Sequence, residues 1–235
     1  MNCGYQGFAM LLREHTISGF LASTLVLLLI GCGESTPDKP VLGYFSDDYS
    51  GDAVIEAAYA YADGGGAAPF EGSGVPRDIW SGNTRVMQQD TRGTYCCGYT
   101  LGILFDLIEA NGMAKKLGEP EIRELLKNWY GHPAGYGLRA IPITLEKFGL
   151  GQEVAPQDLQ PGDFVIFHRV NGTAHQVVFL DWVRHNGKVI GLKYRGSQAS
   201  TEGIKDNSEF FAFRTQNGKI KEDEIFGGRV YDKAL

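Results

Sequence analysis

The sequence predicts an α+β domain in which helices come first and an antiparallel sheet follows. Two observations carry this. Between residues 53 and 148 apolar residues recur at helical spacing, whereas from Pro161 onward the period falls to two and β-branched and aromatic residues dominate. A chain that separates its helices from its strands builds an α+β domain rather than an alternating α/β one. The third observation is local: His185-Asn-Gly-Lys188 has the Asn-Gly pair that closes a two-residue hairpin.

Each element has its own justification. Asp52 is placed to cap a helix over 53–62, with Val54, Ala57, Ala58 and Tyr61 on one face. A long irregular stretch, 63–94, carries Pro69, Pro76 and Gly64-Gly-Gly66, and loops of that length inside a domain tend to be functional. The helix that begins at Cys96 is apolar on most sides (Leu101, Ile103, Leu104, Phe105, Leu107, Ile108), so it belongs at the centre of the domain. Asn111-Gly112 ends it. A further helix runs from Pro120 to about Tyr130, with Pro120 in its first turn. The loop Gly131–Gly137 leads to a short helix at 141–148. Strands are expected at 164–169, 175–183, 189–195, 209–215 and 228–231, with a second two-residue turn at Gln216-Asn-Gly-Lys219.

The N-terminus reads as a targeting segment. Arg13 precedes an apolar run from Phe20 to Ile30, too short to span a bilayer comfortably. The run ends in Leu29-Ile-Gly-Cys32, which resembles the lipobox of bacterial lipoproteins. That resemblance implies a signal peptide at 1–31, lipid attachment at Cys32 and a tether at 32–43, with the folded domain at 44–235. It places the domain in the bacterial cell envelope, anchored to a membrane. The net charge of −6 argues against a nucleic-acid partner. A monomer is expected.

Once Cys3 is discarded and Cys32 is lipidated, only Cys96 and Cys97 are left. An exported chain with no separated cysteine pair has no disulfide framework, so the thiols call for another role. Cys96 stands where a Gly/Thr-rich loop enters a helix, and a helix N-terminus favours thiolate over thiol. Cys97 competes with it, but lies on the stripe of Leu101, Leu104 and Ile108, where a cysteine is commonly an inert apolar side chain. Among the histidines, His15 falls in the targeting segment, His185 in a turn, His132 in the glycine-rich loop, and His168 at a strand end where a structural role is expected. His175 opens the apolar strand Val177-Val-Phe-Leu180 and is the candidate base. If Asn186-Gly187 is a two-residue turn, the register carries His175 opposite Gln198, whose amide oxygen could accept the imidazole N–H and orient the ring. Adjacent cysteines lack the spacing of a zinc site, and no phosphate loop or dinucleotide fingerprint is present. No metal or organic cofactor is expected.

Cys96-Cys97-Gly98, Pro161-Gly-Asp-Phe-Val-Ile-Phe167 and His175 occur in the order that characterises the NlpC-type and CHAP papain-like cysteine hydrolases, which the chain resembles over residues 51–204. The resemblance implies a papain-like fold with the nucleophile helix packed on the sheet. It also implies a Cys96–His175–Gln198 triad acting through a thioester on amide bonds of peptidoglycan peptides. Tyr95 stands where that family has Asp, and Cys97 where it has Ser, so the family's recognition of an amino group is not implied here. The same triad would serve an acyltransferase, and the fold without the chemistry would serve an envelope ligand-binding or scaffold module.

Overall fold

The first helix, α1 (Gly51–Ala60), starts slightly before the expected position, so Asp52 sits inside its first turn instead of capping it. A carboxylate there still complements the positive end of the helix. These elements come from a computed structural model that describes residues 51–69, 71–131 and 137–231. The targeting run, Cys32, the tether and His132 lie outside the described residues.

The stretch read as irregular has structure of its own. It holds β1 (Gly64–Gly65) and a separate hairpin of β2 (Ile79–Ser81) and β3 (Thr84–Met87). Asp90 pins its remainder: the carboxylate accepts from Gly74 N at 3.2 Å and from Arg92 N at 3.1 Å, and it pairs with the Arg92 guanidinium. Strands this short carry too few residues for an alternation to be visible.

Helix α2 (Cys96–Ala110) is buried along nearly its whole length, as its all-round apolarity requires. Asn111 closes it and Gly112, at φ +74°, supplies the left-handed turn. α3 (Glu119–Trp129) buries Ile122, Leu125, Leu126 and Trp129, and α4 (Ala140–Lys147) follows.

The remaining strands are β4 (Gly151–Val154), β5 (Phe164–Arg169), β6 (Ala174–His185), β7 (Lys188–Gln198), β8 (Gly203–Phe210) and β9 (Ile220–Val230). With β1 they form a seven-stranded sheet in the order β1-β8-β7-β6-β5-β9-β4, in which neighbouring strands pair antiparallel. The meander expected from the sequence extends from β5 to β8. After it the chain departs from expectation. The strand predicted at 209–215 is Gly203–Phe210, and the one predicted at 228–231 is the end of the much longer β9. Gln216–Lys219 does not join two neighbouring strands, because β9 crosses to the far side and inserts between β5 and β4. Hydrogen bonds Lys219 N to Phe210 O and Ala212 N to Ile220 O tie the end of β8 to the start of β9, curling the sheet over. The charged run Lys221–Glu224 hides the alternation of β9 from a sequence reading.

The two sheet faces bury different cores. Phe164, Ile166 and Val178 pack with α2 and α3 on one side. Val165, Phe167, Val177, Phe179, Leu192 and Tyr194 line the other, filled by Phe211, Ile220 and Ile225 from the curled end. The Pro-Gly-Asp segment has a structural task. Asp163 is fully buried and accepts from Gln160 N at 2.7 Å and from Arg229 Nε and Nη2, each at 2.9 Å, which locks β9 to the start of β5.

Candidate active site

The expected hairpin turn forms, with Asn186 at φ +49° and Gly187 at φ +75°. The register does not run straight from it. His185 pairs with Lys188, a bulge then shifts the pairing so that Val183 meets Gly191, and a second bulge restores it, so that Val178 meets Arg195. The two irregularities compensate. Each strand donates one extra residue, and the ladder leaves the second bulge in the register set by the turn.

His175 and Gln198 therefore lie at one end of the sheet, where β6 begins and β7 ends. His175 is 3 % exposed. Its ring stands edge-on between Phe167 and Tyr194, with centroid separations of 5.6 and 5.4 Å. Its neighbour Gln176 points through the sheet to the helix side, accepting from Thr100 Oγ1 and donating to Trp129 O. The strand's two-residue period thus places His175 on the face opposite the body of α2. The start of α2 reaches this same end: Thr94 Oγ1 lies 2.7 Å from Ser197 Oγ. Ser197 faces the cysteine loop, and Gln198 the side of His175.

Cys96 occupies the first helical position after Tyr95, whose side chain makes no capping hydrogen bond. The first intrahelical bond runs from Tyr99 N to Tyr95 O, so the amides before it have no acceptor within the helix. Such a turn can hold a thiolate or a developing oxyanion. Cys96 and Cys97 are both buried, at 7 % and 1 % exposed, with their sulfurs 3.8 Å apart. The loop 72–75 covers this turn closely. A Cβ on Gly98 would lie 2.2 Å from Gly74 O, and one on Gly74 would meet the Tyr95 ring at 2.2 Å, so both glycines are needed for the approach. Tyr130 donates to Ser73 O and holds the loop from the other side.

The imidazole is not oriented by Gln198 in the way the register suggested. His175 Nε2 is buried without a hydrogen-bond partner, and Gln198 Oε1 lies 3.4 Å from the Tyr194 hydroxyl. That hydroxyl donates at 2.7 Å to Glu209, which also receives a two-pronged bond from Arg169. Burial alone would raise the Glu209 carboxyl, but the Arg169 guanidinium, the Tyr194 hydroxyl and the nearby His175 outweigh it and hold the carboxyl below its ordinary range. Arg169 is likewise resisted by burial and kept firmly protonated, chiefly by Glu209.

Arg169, Tyr194 and Glu209 were not anticipated. Tyr194 was within reach of the sequence, since Tyr194, Gly196 and Gln198 alternate onto one face of the strand. Glu209 was not, because its strand was placed too late in the chain. An open groove of about 720 Å³ adjoins the site, lined by Asp63–Ala67, Ala199, Thr201, Glu202 and Lys205. Ala67 on its wall is bridged to Thr94, two residues before Cys96. Among the described residues no cluster of His, Cys, Asp or Glu could hold a metal ion.

Fold and site together define an α+β domain with a buried thiol at a helix start and a buried imidazole at the adjoining end of an antiparallel sheet. Comparison with family models, with curated proteins and with solved structures finds no match to this chain.

Proposed function

We propose that the chain is a papain-like cysteine hydrolase, exported and anchored through Cys32, that cleaves amide bonds of peptidoglycan peptides. One observation carries the reading: Cys96 opens a buried helix, and Thr94 just before it meets Ser197 at the end of the sheet where His175 lies, with its Nε2 buried and unpartnered.

In this reading the Cys96 thiolate attacks the amide carbonyl, and first-turn amides of α2 receive the oxyanion. The C–N bond breaks as the His175 imidazolium gives its proton to the leaving amine, leaving a thioester on Cys96. The imidazole then takes a proton from water, hydroxide adds to the thioester, and the carboxylate product leaves with the thiol restored. Gln198 serves as orienter once its amide turns from Tyr194 toward Nε2. The groove beside Thr94 is the route by which the peptide reaches the covered thiol.

Mass spectrometry of peptidoglycan fragments incubated with the full chain tests this. Cleavage that disappears in Cys96→Ala supports it, while uncut fragments oppose it. Products joined to an added amine instead of water would indicate acyl transfer. Iodoacetamide supplies an independent check: Cys96 should label at neutral pH faster than an ordinary thiol and faster than Cys97, and slow labelling would favour a non-catalytic binding module.

A further inference from the structure

We propose that Cys96 and Cys97 form a redox pair: a hydroperoxide oxidises Cys96, and Cys97 closes on it to give a vicinal disulfide that added thiols reopen. The loss of turnover that follows rests on the hydrolase reading above; the modification itself does not.

The second thiol has no part in the proposed cleavage, yet it is placed against the first. Consecutive residues on a helix do not face each other, because each step turns the side chain by about 100°. Cys96 and Cys97 are nevertheless turned together, with their sulfurs 3.8 Å apart. Both belong to the first turn of α2, where the intrahelical ladder is only starting and the backbone yields more readily than in mid-helix. Thr100 Oγ1 lies 3.1 Å from Cys96 O and 3.2 Å from Cys97 O, so the hydroxyl keeps one acceptor when the peptide between the two cysteines rotates.

The two sulfurs differ in access, and that sets their order of reaction. Cys96 is 7 % exposed and Cys97 1 %, so the outer sulfur meets the oxidant and the inner one resolves it. The Cys96 thiolate attacks one oxygen of hydrogen peroxide and the O–O bond breaks. That oxygen stays on sulfur as a sulfenic acid, while the other takes the thiol's proton and leaves as water. The Cys97 sulfur then attacks the Cys96 sulfur, the S–O bond breaks, and hydroxide leaves as water with the Cys97 proton. The two thiols give up two electrons, and the peroxide becomes two waters. A resolving thiol this close intercepts the sulfenic acid before it is oxidised further and irreversibly.

The same adjacency makes the bond reversible. Consecutive Cα atoms stand about 3.8 Å apart, short of the roughly 4.4–6.8 Å that a relaxed disulfide spans, so a ring closed between neighbours is strained and easily reduced. Such a bond serves as a switch and not as a staple. While it is closed, no thiolate is available to attack a carbonyl.

The experiment treats the full chain with hydrogen peroxide and follows the tryptic peptide 93–115, which holds Cys96, Cys97 and no other cysteine, by mass spectrometry. The peptide should lose two hydrogens and resist iodoacetamide, then accept it on both sulfurs after dithiothreitol. In Cys97→Ser the same peroxide dose should instead add two or three oxygens to Cys96 that dithiothreitol does not remove, and fragmentation separates these from oxygen on Met113. Any cleavage of peptidoglycan fragments should vanish on oxidation of the unaltered chain and return on reduction. The mass change in the unaltered chain is decisive by itself and needs no variant to fold. A peptide that keeps both thiols open to alkylation, or gains oxygens on Cys96 as readily as in Cys97→Ser, would overturn the proposal. A chain that closes the ring but never cuts fragments would sink the hydrolase reading and leave the redox pair standing.

Discussion

His175 Nε2 faces Gly196: a Cβ built on that glycine would lie 3.4 Å from the nitrogen, 3.0 Å from Val177 Cγ1 and 3.3 Å from Tyr194 Cδ2. The missing side chain leaves the imidazole edge clear on the strand that also carries Gln198. A larger residue would press on the ring that the proposed chemistry must keep free. Gly196→Val is expected to cost about 1–3 kcal/mol of stability, as overpacking does. It should also lower Cys96-dependent turnover in protein that circular dichroism shows to be folded. A variant with native melting and full activity would remove any role for this clearance.

Gln198→Ala is expected to lower turnover by one to two decades, about 1–3 kcal/mol of barrier, with little change in melting temperature. The reason is that an orienting bond acts on reacting geometry, and the Tyr194 hydroxyl, 3.4 Å from Gln198 Oε1, gives its proton to Glu209 instead. Full activity in the variant would assign Gln198 to the structure alone.

Asp163→Asn should destabilise the fold by about 3 kcal/mol or more, because it leaves the Arg229 guanidinium without its carboxylate in a buried setting. Denaturant unfolding measures this. A loss below about 1 kcal/mol would show that Arg229 reaches water when its partner is removed.

His168 predicts a pH effect on stability. Burial lowers its imidazole, with Glu224 opposing and Lys221 assisting, and its Nε2 is buried without a partner. The folded-state value therefore lies below the unfolded value of about 6.5. A group so depressed stabilises the fold in its neutral form above that pH, and the contribution is lost as pH falls from about 6.5 toward the folded-state value. Melting temperature should decline on this acid limb. His168→Phe should flatten the decline while leaving the neutral-pH melting temperature within a few degrees. An unchanged acid limb would place its origin in the carboxylates.

Cys32→Ser should release the chain from membranes or leave its N-terminal segment uncut, as read by fractionation and intact mass. Unaltered processing and membrane association would remove the lipid anchor from the proposal.

The amino-acid order by itself determined the helices at 96–110 and 119–129, the Asn186-Gly187 turn and the alternation that puts His175 and Gln198 where β6 begins and β7 ends. These are local or periodic matters: an apolar stripe, a turn residue at positive φ, an alternation of two. Tertiary structure decided the rest. Whether β9 paired with β8 or crossed to β5 depended on which edge had a complementary face, and a one-strand reading carries no information on that. Two bulges shifted and then restored the β6–β7 register, a cancellation visible only in the folded ladder. The company His175 keeps was decided in the same way. Arg169, Tyr194 and Glu209 come from three strands, and their meeting depends on charges that are stable together in the interior and costly apart. Gln198 stands beside Tyr194, 3.4 Å from a hydroxyl whose proton goes to the closer carboxylate of Glu209, a neighbour that only the folded sheet supplies.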